Sequence, residues 1–285
     1  MISNFNEILS LIKNNKFKEA EKKCKKIEKS LTKNAEFLHT YGFIFFNLKN
    51  YDQAIEKWKK AINVDPKFVY ALNNLGNVLS KVNKPDEAIQ YLNKALEIKP
   101  DFFETFYTLS EIYFKKNDFE NSLININKAI KLKPDNLLVA KIKIEILLKL
   151  NKKKDLLNFL DDAISYHPKN AELYNHKAKI LSALGMKSQS MNSYKTVYML
   201  DQNFPYVLGN IVNDKLTNCD WDGIEKEFEE IKNKINQEQE VADPFLISTL
   251  FDSSHLQNKA AKIWIKQHES NDEHNNIEIL NNSGR

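Results

Sequence analysis

The side chains best able to hold a metal or attack a carbonyl are six histidines, His39, His167, His176, His255, His268 and His274, and two cysteines, Cys24 and Cys219. A metal site needs ligands a few residues apart, as in CxxC or HExxH, so that one turn or one helix face presents them together. None of these eight stands in such a spacing, and no metal is expected. GxGxxG, P-loop and GxSxG motifs are absent, and six glycines in 285 residues leave little backbone for cradling phosphate, so no cofactor is expected. The pair Asp161-Asp162 and the run Glu227, Glu229, Glu230 could serve as acid and base. Lysines and asparagines alternate with them, however, as they do on a solvated helix face. No catalytic residue is assigned, and the chain reads as one that binds and does not transform.

Candidates for binding are easier to find. Asn73, Asn74, Asn77 and Asn210 carry amides that can donate to and accept from a peptide backbone at once. Tyr70 and Tyr107 offer rings able to anchor an apolar side chain, and Thr108, Glu111 and His176 add polar groups nearby in register. What brings these residues together is the organisation of the chain.

Composition narrows that organisation. With 42% hydrophobic and 28% charged residues and a mean hydropathy of −0.52, the chain can bury a continuous core and still face water. Forty-two basic residues against 38 acidic ones give a net charge of +4, with the signs interleaved, and every basic residue except Arg285 is lysine. The planar fork that reads guanine edges is therefore missing, and specific nucleic-acid binding is not expected. Two distant cysteines suit a reducing compartment. No window approaches the roughly 20 apolar residues of a membrane span, and the amino terminus does not read as a signal peptide. A cytoplasmic protein is expected.

Pro66, Pro100, Pro134 and Pro168 lie 34 residues apart, and the segments that precede them, AINVDP, ALEIKP, AIKLKP and AISYHP, read alike. With Pro66 at position 32, repeats begin at Ala35, Val69, Phe103, Leu137 and Ala171. Position 27 then reads Ala61, Ala95, Ala129, Ala163 and Val197, while position 8 reads Gly42, Gly76, Ser110, Ile144 and Ala178. Large residues fill position 24 (Trp58, Leu92, Ile126, Leu160, Tyr194) and position 11 (Phe45, Leu79, Tyr113, Leu147, Leu181). Small residues at a crossing flanked by large ones, on a 3.6-residue period in both halves, describe two amphipathic helices packed antiparallel. The register extends back through Leu11, Phe17, Ala20 and Cys24, and forward through Leu208, Ile211, Val212, Ile224, Phe228 and Ile231.

These columns resemble the tetratricopeptide (TPR) consensus over residues 1–204, most strongly in repeats 35–68, 69–102 and 103–136. The resemblance implies an all-α, right-handed superhelix, an α-solenoid of about six helix pairs (1–34, 35–68, 69–102, 103–136, 137–170, 171–204). Repeat 137–170 departs from the pattern, with Ile144 and Leu156 where small residues are usual. A degenerate repeat and helical region is expected over 205–267, and a polar tail over 268–285. In the family the first helix of each pair lines a concave groove through positions 2, 5, 6, 9, 12 and 13. Here that places Tyr70, Asn73, Asn74 and Asn77, then Tyr107, Thr108 and Glu111, then His176 and Asn210 on its wall. The implied partner is a protein or peptide, and neither specific nucleic acid nor membrane is expected.

Beyond Phe204, the Cys219-Asp220-Trp221 triplet, Pro244-Phe245 and Gln257 are similar to the passage that joins the TPR arm to the catalytic region in O-GlcNAc transferase-like glycosyltransferases. That resemblance implies relationship to a substrate-recruiting arm. The two nucleotide-sugar-binding lobes of that family are not in this sequence.

Overall fold

The computed structural model describes residues 2–266, and the expected polar tail over 268–285 lies outside them. Among the described residues there is no strand. The helices are α1 (Ile2–Lys13), α2 (Phe17–Ile27), α3 (Ala35–Asn47), α4 (Tyr51–Val64), α5 (Val69–Lys81), α6 (Pro85–Ile98), α7 (Phe103–Lys115), α8 (Phe119–Leu132) and α9 (Leu137–Lys149). They continue with α10 (Lys153–Tyr166), α11 (Ala171–Ala183), α12 (Lys187–Leu200), α13 (Val207–Thr217), α14 (Ile224–Asn236) and α15 (Pro244–Leu250), and residues 254–266 are also helical. No described helix is long and apolar enough to cross a membrane. The chain divides into two compact units, Met1–Leu150 and Asn151–Arg285, and the division falls between α9 and α10, inside repeat 137–170.

Helix ends follow from local chemistry. Asn34, Asn50, Asp118, Asn136 and Asn170 each accept, through a side-chain oxygen, an amide of the first turn of α3, α4, α8, α9 and α11. The 34-residue prolines act one residue earlier than their own position. Steric conflict with the proline ring pushes Asp65, Lys99, Lys133 and His167 off the helical region, and α4, α6, α8 and α10 stop just before them.

A further column emerges from the backbone. Asn15, Lys49, Asn83, Asn117, Asn151, Gly185 and Cys219 follow one another at 34-residue intervals, and every one has positive φ, from 52° to 77°. They close the first helix of each pair. In the second repeat the Asn50 amide donates to the Phe45 carbonyl and that of Lys49 to Phe46, and the same two-bond pattern recurs at Asn117 and Asp118, and at Cys219 and Asp220. The period therefore reaches a seventh turn, between α13 and α14.

In the first unit α3 packs on α4, α5 on α6 and α7 on α8, each pair stacks on the next, and the first helices α3, α5 and α7 also touch one another. Their core runs from Ile8 through Trp58, Leu75, Leu79 and Leu92 to Ile112. The small column is there because the crossing is tight. A Cβ added to Gly42 would lie 2.6 Å from Trp58 Nε1, and one added to Gly76 would lie 2.5 Å from Leu92 Cγ. Where serines replace the small residues, Ser110 and Ser122 each donate to the other's carbonyl, so a buried hydroxyl pair is satisfied.

In the second unit α11 pairs with α12, and α13 packs on both α12 and α14. Leu208, Val212 and Ile231 join Ile247, Phe251 and Ala260 in one core, and Ile211 joins Ala178, Tyr194 and Val197 in another.

A polar and aromatic wall as candidate functional site

Tyr70, Asn73, Asn74 and Asn77 all stand on α5, with α3 on one side and α7 on the other. Their roles differ. Asn73 is only 7% exposed, and its Oδ1 accepts from Thr105 Oγ1 at 3.0 Å across the gap to α7. Asn73 Nδ2 donates to Asn74 Oδ1 at 3.4 Å, and Asn74 Nδ2 reaches His39 Nε2 on α3 at 2.9 Å. Burial lowers the His39 imidazole from its ordinary 6.5 to about 4, so the ring is neutral and its Nε2 can accept. Thr105, Asn73, Asn74 and His39 thus form one directional chain of donors that ties three successive first helices together.

Thr108 is likewise buried, at 6% exposure, and donates to the Glu104 carbonyl one turn back. Tyr107 donates to Glu111 Oε1 at 3.0 Å, and burial with the adjacent carboxylate holds its phenol protonated, its pKa pushed up to about 12. Asn77 is half-buried and its amide makes no hydrogen bond with the described residues.

Tyr70 is 54% exposed and forms the outer member of a ring cluster. Its centroid lies 5.6 Å from Phe102 in an edge-on contact, 6.2 Å from Phe68 and 6.4 Å from His39, while Phe68 and His39 meet at 5.1 Å. Lys99 Nζ sits 4.9 Å from the Phe102 ring centre. Sequence reasoning left out Phe68, Phe102 and His39 from the candidate set. The signal was available: Phe68 and Phe102 occupy the column where Asn34, Asn136 and Asn170 cap their helices, and neither α5 nor α7 has a side-chain cap. A cap worth about 1 kcal/mol is given up at two consecutive repeats, and a ring stands in its place.

Family models described as Tetratricopeptide repeat match residues 69–102, 103–136 and 171–204, and one described as TPR repeat matches 42–83. Residues 42–136 and 171–204 are tetratricopeptide repeats. Among solved structures, a TPR protein from Parabacteroides merdae ATCC 43184 is similar at a TM-score of 0.54 and 14% identity, over 92% of this chain and 98% of that one. YrrB, described as a TPR protein with an unusual peptide-binding site, has a TM-score of 0.52 and 20% identity over 73% and 99%. MamA has a TM-score of 0.54 and 18% identity over 61% and 94%. At these identities the likeness is one of fold. No curated protein matches the sequence.

In the second unit, His176 on α11 and Asn210 on α13 are both half-buried, and the Asn210 side-chain amide makes no hydrogen bond with the described residues. Asn175, one position before His176, is buried with its Oδ1 unpartnered. In Asn73 the equivalent oxygen accepts a hydrogen bond from the Thr105 hydroxyl; the column of Thr105 one repeat beyond Asn175 holds Val207, whose side chain has no donor.

Cys219, Asp220 and Trp221 form the turn before α14. Cys219 takes the left-handed closing position, and Asp220 Oδ1 accepts from the Asp222 amide. Lys215 underpins that turn, buried at 6% exposure, donating to the Asp222 carbonyl at 2.6 Å and to Glu227 Oε1 at 2.7 Å.

Proposed function

We propose that the protein is an interaction scaffold that holds an extended or helical segment of a partner polypeptide against the wall made by α3, α5 and α7. The observation that carries this reading is the exposed Tyr70 in its cluster with Phe68, Phe102 and His39, two turns along α5 from the half-buried Asn77, whose side-chain amide makes no hydrogen bond with the described residues. An aromatic anchor and an available side-chain amide on one helix suit a chain that buries one side chain and pairs its backbone. TPR proteins bind peptide or protein partners, and the peptide-binding site named for YrrB is in keeping with the reading. Tyr107, Thr108 and Glu111 would shape the wall from α7. A cytoplasmic setting, in which the exposed Cys219 thiol stays reduced, fits the two free cysteines.

The test is capture of partner proteins by a Tyr70→Ala/Asn77→Ala double variant, neither residue being part of the donor chain that ties the helices. Loss of specific partners at unchanged helicity supports the wall; undiminished capture removes it.

The Cys219-Asp220-Trp221 turn favours a second reading, in which residues 1–204 are the recruiting arm and 205–267 the linker of an O-GlcNAc transferase-like enzyme whose catalytic part is truncated or on another chain. Co-purification with a polypeptide that binds nucleotide sugars would support it. Copurification without any such polypeptide would remove the form in which the catalytic part is on another chain.

A further inference from the structure

Five successive first helices bury one apolar side chain at position 10 of the repeat: Ile44, Val78, Ile112, Ile146 and Ile180, none more than 6% exposed. On α13 the same position holds Asp214, at 5% exposure. A carboxylate kept from water needs several donors or a cation to replace its hydration. Asp214 forms no ion pair among the described residues, and its carboxyl group is bonded only by the fully buried Ser190 of α12, whose Oγ lies 3.0 Å from Asp214 Oδ2.

The same Ser190 Oγ also lies 3.0 Å from the Ala178 carbonyl oxygen of α11. A hydroxyl has one proton to donate, and neither a carbonyl nor an ionised carboxylate has one to return. With Asp214 ionised, Ser190 has one proton for two acceptors. With Asp214 protonated, both contacts become hydrogen bonds: the acid O–H donates to Ser190 Oγ, and Ser190 donates to Ala178. Burial acts in the same direction and is the largest influence on the carboxyl, raising it above the ordinary 3.8, while the Ser190 hydroxyl and the Lys187 ammonium oppose it. The other groups around α13 supply no stronger charge. On α12, Tyr194 is held protonated, pushed up to about 12 by burial and then by Asp214. On α14, Glu227 is turned to Lys215, which it pairs at 2.7 Å, and on α11 Lys177 is paired with Asp161.

We propose that Asp214 is a proton-binding switch in the second unit: with its proton in place, the relay from Asp214 through Ser190 to Ala178 ties α13 to α12 and α11, and loss of the proton loosens that tie. The switch lies in α11, α12 and α13 and needs nothing from the wall of α3, α5 and α7. Its sign follows from linkage. The folded carboxyl keeps its proton to higher pH than an unfolded one, so the stabilisation is complete below 3.8 and is lost as pH rises through the folded value. His39, whose folded value is lowered to about 4, responds the opposite way. Acid therefore tightens the second unit at Asp214 while it weakens the first at His39.

The experiment is a carbon-13 NMR titration of the Asp214 carboxyl in the full chain, assigned against Asp214→Asn, with hydrogen exchange of the α12 and α13 amides from about pH 4 to about pH 7, corrected for intrinsic rates. The carboxyl midpoint is expected above 3.8, and protection of α12 and α13 should fall as pH rises through that midpoint. Asp214→Asn, whose amide donates to Ser190 at every pH, should hold its protection across the range. If it folds poorly, Asp214→Ile, which restores the residue type found at Ile180, takes its place as the form that cannot titrate. A midpoint at or below 3.8 overturns the proposal, and so does a pH-dependent loss of protection in the non-titrating variant as large as in wild type.

Discussion

Acidifying the solution from about pH 7 to about pH 5 acts on the repeat wall through His39. In the folded chain its imidazole is neutral, its Nε2 faces the Asn74 amide at 2.9 Å, and burial holds its pKa at about 4 against 6.5 for the free side chain. The folded pKa lies below the unfolded one, so the unfolded chain binds the proton first. The stabilising contribution is complete above about pH 6.5 and is lost as pH falls towards 4. Each pH unit inside that window costs about 1.4 kcal/mol, so the step to pH 5 costs about 2 kcal/mol after allowing for partial titration at pH 7. Urea unfolding of wild type and His39→Gln at the two pH values isolates the effect, since glutamine does not titrate. The wild type should lose about 2 kcal/mol more than the variant. Equal losses, or a His39 ring proton that titrates by NMR near 6.5, would refute both the neutral ring and the donor chain built on it.

Replacing Gly76 by Ala should lower stability by about 1–3 kcal/mol, because the new methyl meets Leu92 Cγ at 2.5 Å in a packed crossing; thermal melting reads this out, and an unchanged midpoint would contradict the tight crossing. Lys49→Gly should raise stability by about 1 kcal/mol, since a lysine holds φ of 59° there while every other member of the column except Cys219 is Asn or Gly; denaturant unfolding checks it. Lys215→Met should cost about 3 kcal/mol by leaving the half-buried Glu227 without its cation, seen as early unfolding of the second unit in hydrogen exchange.

The repeat length was legible because proline fixes where a helix must stop, and four prolines keep one spacing. The closing turns were only half legible. Asn15, Asn83, Asn117, Asn151 and Gly185 tolerate positive φ and could have announced the column, but Lys49 and Cys219 carry no such signal, and the backbone alone shows that they belong. In the site, Tyr70 lies exposed as its register predicts. Asn73 lies buried, because a threonine one repeat later reaches its oxygen, and a single column cannot reveal what the next repeat puts opposite it. Phe68 and Phe102 escaped notice because they stand in capping positions, which sequence reading assigns to helix ends and not to surfaces.

The wall itself is tested most directly by site-specific photo-crosslinking in cells, with benzoylphenylalanine placed at Tyr70 or Asn77 and, as controls, at the exposed second-helix positions Lys60 and Gln90. Discrete adducts with the same partner from positions 70 and 77, and none from 60 or 90, are the expected result. Adducts confined to positions 60 and 90 would place the binding surface on the opposite helices and contradict the wall of first helices.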